Sequence, residues 1–255
     1  MNQKISRITT KPVKRIDHSI RSETERSDRM SDISTDRKLR IAIDGPGGAG
    51  KSTISKLAAS KLGLEYVDTG AMYRAIALKI LETSTDLEDI PAVSRQLEHT
   101  EISFSNGHVT LDGEDVEDRI RTTRVSRAAS AVAAIPQVRK KLVSMQRQIA
   151  EEKNVVMDGR DIGTNVIKDA ELKIFLTADP MVRAKRRYDE LIKKNPEADT
   201  SFEQVYQDIC DRDYRDTHRE LNPLTRAEDA VLVDTSDMTI QQVVDRIEEL
   251  ASEVC

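Results

Sequence analysis

The eight residues GPGGAGKS, Gly45 to Ser52, constrain this chain more than any other stretch. They match G-x-x-x-x-G-K-[ST], a loop whose backbone wraps phosphate groups. The preceding LRIAIDG has the content of a buried strand. The following KSTISKLAASKLG sets Ile54, Leu57, Ala58 and Leu62 at helical spacing. Strand, glycine-rich turn and helix together are the context the motif needs. The glycines let N–H groups point inward, and the helix N-terminus adds positive potential. Gly45, Pro46, Gly47, Gly48, Ala49, Gly50, Lys51, Ser52 and Thr53 are therefore expected to hold a nucleoside triphosphate. Lys51 is placed to reach its β- and γ-phosphates, and Ser52 to hold Mg²⁺.

A phosphate loop leaves three classes open: a small-molecule kinase, a GTPase switch and an assembly ATPase. The chain has no N-K-x-D run for guanine, and 255 residues are few for an assembly ATPase. A kinase needs a second anion site, and arginines recur where one should form. Open α/β sheets bind ligands beyond the carboxyl ends of their strands. VDTGAMYR follows a strand and presents Arg74. VVMDGRD ends another strand with Asp158, Arg160 and Asp161. In DRDYRDTHR, Arg212, Arg215 and Arg219 fall at i, i+3 and i+7, with Asp216 beside them. Guanidinium groups bind phosphate bidentately and keep their charge. The competing reading of that last helix is a solvated face laced by Asp208/Arg212 and Asp211/Arg215 pairs. For Arg160 it is an ion pair with a neighbouring carboxylate.

The rest of the chain sets the architecture. LEYVDTG, VVMDGRD, LKIFLTA and AVLVDTS add four strands to LRIAIDG, each separated from the next by helical periods. Five buried strands alternating with helices imply an α/β, doubly wound parallel sheet. EISFSNGHVTLDGED alternates at period two about Asn106-Gly107, a tight-turn dipeptide, and predicts a small antiparallel insertion over about 92–122. The arginine-dense segment of about 180–220 is expected to form a helical lid. Residues 1–38 are Ser/Thr/Arg-rich without an apolar period and are expected to be a disordered tail, leaving 39–255 as the folded domain. The tail is net basic in a chain of net charge -5, so the body is acidic, which argues against nucleic-acid binding. A non-catalytic nucleotide-responsive protein whose basic tail meets a partner is the alternative from another class. No apolar run approaches the roughly 18 residues of a membrane span. The two cysteines fit no metal spacing and read as free thiols of a reducing compartment.

The runs IAIDGPGGAGKST, DTGAMYRA, RAASAVAAIPQVRKKL, VVMDGRDIGT and RDYRDTHR, in this order, resemble the bacterial-type cytidylate kinase family from about Leu39 to about Glu249. The resemblance implies a P-loop kinase fold and transfer of the γ-phosphoryl group of ATP to CMP or dCMP with Mg²⁺. The runner-up acceptors are UMP alongside CMP, or another small molecule. It assigns cytosine recognition to Ser130, Arg139 and Asp161, and the acceptor phosphate to Arg74, Arg160 and Arg219. Arg212 and Asp216 are assigned to the sugar, and Arg186 to the ATP side of the lid. Thr69 stands where some members carry Ser; both offer a hydroxyl for the acceptor. Lys51, Arg160 and Arg215 are the expected catalytic charges, and Ser52 and Asp158 the expected metal ligands. A monomer in the cytoplasm, with no partner beyond its small substrates, completes the expectation.

Chemistry agrees with that assignment. Cytosine differs from uracil by an exocyclic amine, a donor that needs an acceptor, and a carboxylate such as Asp161 suits it. A phosphate monoester is already largely dianionic near neutral pH, so no general base is required.

Overall fold

The structure is a computed structural model that describes residues 38–105, 108–197 and 199–254. The expected tail lies outside the described residues except for Lys38, and so does the Asn106-Gly107 turn.

Five parallel strands form the central sheet: β1 (Arg40–Asp44), β2 (Glu65–Asp68), β6 (Val155–Gly159), β7 (Leu172–Thr177) and β8 (Val231–Asp234). Their order is β2-β6-β1-β7-β8, and each pairs in parallel with its neighbours. Strand period two explains the two cores. Ile41 and Ile43 of β1 and Val156 of β6 join one apolar cluster, whereas Ala42, Val155 and Met157 join the other. The first cluster is closed by α1 (Lys51–Leu62) and α8 (Ile240–Val254). The second is closed by α2 (Thr69–Thr83), α4 (Thr123–Val132) and α5 (Pro136–Glu152). Both faces of β1 are thus covered, as an all-parallel sheet requires.

Two of the expected apolar positions sit differently. Leu57, read as part of the buried face of α1, is half-exposed, and so is Leu232 on β8. β8 is an edge strand, paired only with β7, so it is not buried like its neighbours.

Where the strand–helix pattern was expected to break, the chain makes one more helix, α3 (Ile90–Glu98). Asp89 caps it by accepting from the Ala92 amide at 2.9 Å, and a proline stands in its first turn. The antiparallel insertion follows as β3 (Ile102–Ser105), β4 (His108–Leu111) and the short β5 (Glu114–Asp115). β3 and β4 pair antiparallel from Ile102–Leu111 to Ser105–His108. Ile102, Phe104, Val109 and Leu111 pack into the cluster built around α2. A 3₁₀ turn, Arg119–Arg121, returns the chain to α4.

After β6 the chain forms a π-helical turn, Ile162–Val166. The Asp161 carbonyl accepts from the Val166 amide and the Ile162 carbonyl from the Ile167 amide, both five residues on. The segment of about 180–220 holds α6 (Pro180–Lys194) and α7 (Phe202–His218). Their apolar cluster is separate from the two main ones: Ala184, Val205 and Ile209, flanked by Tyr188, Leu191, Phe202 and Tyr206.

Ile43 is fully buried at the centre of the sheet. Ile43→Ala should cost about 2–5 kcal/mol of stability through lost burial and the cavity left behind. A lowered urea midpoint with an unchanged m-value is the expected reading.

Candidate functional site

A cleft of about 270 Å³ opens above the carboxyl ends of β1, β2 and β6. Its floor is the phosphate loop. Gly45 has φ of +149°, and a Cβ there would lie 1.9 Å from the Leu176 carbonyl oxygen of β7, so only glycine lets the loop leave the sheet at this point. Gly47, Gly48, Gly50, Lys51, Ser52 and Thr53 face the cleft. Gly45, Pro46 and Ala49 are buried and do not line it. The Lys51 ammonium donates to the Pro46 carbonyl at 2.8 Å. Burial, reinforced by the Arg160 charge, pushes its pKa well below the usual lysine value.

The β2 and β6 ends place two carboxylates side by side, for Asp68 and Asp158 are paired in register. Asp158 accepts from the Ser52 hydroxyl at 3.0 Å and from the Tyr66 hydroxyl at 3.2 Å. Burial, with the Asp68 charge added, raises its pKa to about 6. Burial would also raise Asp68, but Arg74 at 2.9 Å and Arg121 at 3.1 Å outweigh it and hold Asp68 low. An accessible hydroxyl and a buried carboxylate converging at a helix N-terminus, beside the phosphate loop, are hard oxygen ligands of the kind Mg²⁺ takes when phosphates and waters supply the rest. Ser52 and Asp158 fit that ion. Thr69, on the first turn of α2, donates to the Asp158 carbonyl at 2.7 Å and lines the cleft with Arg74.

Arginines from β6 and α7 form the opposite wall. Arg160 donates through Nε to Asp216 at 2.8 Å. Arg212 lies 3.8 Å from the same carboxylate, too far for a hydrogen bond, and its buried Nε has no partner among the described residues. Both guanidinium groups press on the phosphate loop: a Cβ on Gly47 would lie 3.5 Å from Arg212 Cδ and 3.6 Å from Arg160 Nη2. Burial and the Arg160 charge pull the Arg212 pKa down to about 10, which still leaves it a cation at neutral pH. The two arginines in turn hold the Asp216 carboxyl below its usual value, although burial opposes them. The competing ion-pair reading is therefore correct about Arg160, yet the pair itself lines the cleft.

Asp161 is held from three directions. Arg139 donates to Oδ2, Asn165 donates to Oδ2 at 3.0 Å, and Arg219 donates to Oδ1 at 2.9 Å. Asp161, Arg219 and Ser130 of α4 line the cleft. Arg139 is buried behind Asp161 with its guanidinium 6.0 Å from the Tyr73 ring centroid, so it reaches the cleft through the carboxylate.

Two expected residues stand apart. Arg215 is exposed and donates to the Asp211 carbonyl of its own helix at 3.2 Å. Arg212 and Asp216, one turn apart, take the inward face of α7 and leave Arg215 on its shoulder. Arg186 donates to the Thr235 hydroxyl and carbonyl, just past β8. The Asp208/Arg212 pair of the competing solvated-face reading is absent among the described residues, where Asp208 meets Arg127 of α4 instead.

Sequence reasoning passed over several residues. Arg183 donates to the Gly47 carbonyl at 2.9 Å and to Asp213 at 2.6 Å, joining the loop to α7. It shares its run with Arg186 and Arg187, and only the helix face separates them. Asp68 could have been found as the N-cap of α2, since it accepts from the Ala71 amide at 2.8 Å. Arg121, from the insertion, carried no local signal.

A parallel sheet ending in this loop, faced by arginines from three further elements, defines a phosphate-loop nucleotide-binding protein shaped to hold two anions close together. The profile of the family described as Cytidylate kinase matches residues 41–253. A cytidylate kinase of Caldanaerobacter subterraneus subsp. tengcongensis is 51% identical over 211 residues, covering 83% of this chain and 93% of the relative. That of Caldicellulosiruptor saccharolyticus is 50% identical over 218 residues, covering 84% and 96%. That of Clostridium botulinum strain Loch Maree is 47% identical over 209 residues, covering 82% and 95%. The chain belongs to the cytidylate kinase family. Among the described residues no helix is long and apolar enough to cross a membrane.

Arg183 is buried and its partner Asp213 largely so. Arg183→Met should leave Asp213 and the Gly47 carbonyl unpaired and cost roughly 3–5 kcal/mol, measured by denaturant unfolding.

Proposed function

We propose that this protein transfers the γ-phosphoryl group of ATP to CMP or dCMP, releasing ADP and the diphosphate. The observation that carries this reading is the approach of Arg160 and Arg212 to the phosphate loop at Gly47, with a buried guanidinium N–H of Arg212 unpartnered among the described residues. The one carboxylate they share, Asp216, is hydrogen-bonded to Arg160 and leaves the Arg212 charge without a bonded anion. The phosphate of an acceptor nucleotide, lying beside the γ-phosphate, supplies it.

In the ground state the loop amides and Lys51 hold the ATP phosphates. Lys51 exchanges the Pro46 carbonyl for phosphate oxygen. Ser52 and Asp158 would hold a Mg²⁺ ion, which supplies charge neutralisation on the triphosphate. Arg74, Arg160 and Arg219 take the acceptor phosphate, Thr69 adds a hydroxyl beside it, and Arg212 and Asp216 meet the sugar. The acceptor phosphate oxygen attacks the γ-phosphorus in line. Its new P–O bond forms as the bond to the β-γ bridging oxygen breaks, and the electron pair leaves with ADP. The attacking oxygen is already anionic, so no side chain need remove a proton. Rate enhancement then rests on positioning and on cations arranged in advance of the transition state.

Base choice falls to Asp161, supported by Ser130 and Arg139. A carboxylate accepts from the cytosine amine and finds no such donor on uracil, and a site built to hydrogen-bond that amine discriminates against a base lacking it. The α6–α7 segment acts as the lid. Its closure brings Arg215 from the shoulder of α7 to the transferred group and Arg186 to ATP, and it excludes water from the γ-phosphate. A cytoplasmic monomer acting on small nucleotides, without nucleic acid, completes the proposal.

An ADP-release assay across CMP, dCMP, UMP, AMP and GMP tests it. CMP and dCMP should be preferred, and turnover of UMP or AMP equal to that of CMP would refute the reading. Lys51→Ala should abolish turnover with every acceptor, whereas Asp161→Ala should lose the CMP/UMP preference and retain activity.

A further inference from the structure

Asp44 closes β1, immediately before the phosphate loop, and is almost fully buried. Its hydrogen-bond partners among the described residues are two backbone amides. Oδ1 accepts from Ile162 and Oδ2 from Gly163, each at 2.8 Å. These are the two amides that directly follow Asp161 and open the π-helical turn. The other end of that turn is fastened to Asp161 itself, whose carbonyl accepts from Asn165 and Val166 and whose carboxylate accepts from the Asn165 side chain. Asp44 thus fixes the backbone from which the Asp161 carboxylate projects.

A carboxylate is an expensive way to make this contact. Burial pushes the Asp44 pKa up to about 6, and the two amide bonds offset only part of that; the nearby charges are Asp161, which adds to the rise, and Lys51, which opposes it. Asparagine would be neutral, but it has one acceptor oxygen, and its amide nitrogen would face the second N–H as donor to donor. Only the carboxylate satisfies both amides. The turn is close-fitting: a Cβ on Gly163 would sit tightly against Lys173 Cδ at 3.1 Å and in contact with Asp44 Oδ2 at 3.5 Å, so a side chain there would have to displace Lys173 or shift the turn against Asp44.

We propose that Asp44 is a positioning residue for acceptor-base selection, tying the turn that aims Asp161 to the strand that carries the phosphate loop. The inference rests on the base-reading role proposed for Asp161. It makes the register between donor and acceptor nucleotides a property of one side chain, bonded at both oxygens.

The test is Asp44→Asn in the full chain. KM and kcat are measured for CMP and UMP at saturating ATP, KM for ATP at saturating CMP, and thermal unfolding at pH 7.5. The expected result is a rise of about tenfold in KM for CMP, the scale of one buried hydrogen bond, with a matching fall in the CMP/UMP ratio. KM for ATP should stay within about twofold, whatever the balance in stability between the buried charge removed and the Gly163 amide left without an acceptor. A lowered unfolding temperature with equal changes for ATP and CMP would assign Asp44 a purely structural role and overturn the proposal. Should the variant fail to fold, Gly163→Ala presses on the same turn and should shift the CMP/UMP ratio in the same direction; an unchanged ratio there overturns it as well. A parent protein with no preference for CMP over UMP would overturn the cytidylate reading and this inference together. A parent that prefers CMP, with an Asp44→Asn variant that keeps the preference, overturns the inference alone.

Discussion

Everything at the carboxyl end of this sheet depends on cations gathered beyond what their carboxylates neutralise. Arg160 and Arg212 share Asp216, Arg74 and Arg121 share Asp68, and Arg139 and Arg219 share Asp161. Each carboxylate holds two guanidinium groups near the cleft without cancelling both. The arrangement is costly in the empty protein and becomes favourable when phosphates enter. It also explains why the neighbouring carboxylates differ: Asp68 is held low by two arginines, while Asp158, next to it, is raised by burial and by Asp68 itself. One is a structural anion. The other is left available to a cation.

The fold beneath this cluster is organised to deliver residues from distant parts of the chain. The parallel register sets Asp44, Asp68 and the β6 terminus at one edge of the sheet, and α2, α4 and α7 bring Arg74, Ser130 and Arg212 to the same opening. The small antiparallel sheet is more than a cover for α2, because the turn that follows it sends Arg121 to Asp68. A segment that looks peripheral in the chain therefore reaches the charge balance of the cleft.

How far this was legible in the sequence follows from what each signal encodes. GPGGAGKS carries its own geometry, since glycines at fixed spacing between a strand and a helix admit few conformations. Strand content and helical period placed the five sheet strands and most helices for the same reason: the patterns are local. Arg215 and Arg183 could not be sorted by position alone, because both lie in arginine-rich helical runs where a turn of about 100° per residue decides between cleft and solvent. Asp44 was invisible as a partner, for its contacts lie across the sheet, and of the Asp68 contacts only the cap and Arg74 are local, while Arg121 comes from the insertion. The Ile162–Val166 turn was missed because a π-helical turn has no period distinct from a short loop.

The private apolar cluster of α6 and α7 has a mechanical consequence. Ala184, Val205 and Ile209, with the aromatic rings of Tyr188, Phe202 and Tyr206, hold the two helices to each other without borrowing from either main core. As the proposed lid, the pair would move as one stiff lever, since its internal packing need not be broken. Its attachments to the body include polar contacts of Arg183 with the loop, Arg127 with Asp208, Arg160 with Asp216 and Arg186 with Thr235. Polar contacts can be exchanged for phosphate oxygens at little net cost, whereas buried apolar surface cannot. For the lid proposed above, opening and closing would trade one set of charge pairs for another, and the same nucleotides that fill the cleft would also set the position of the lever above it.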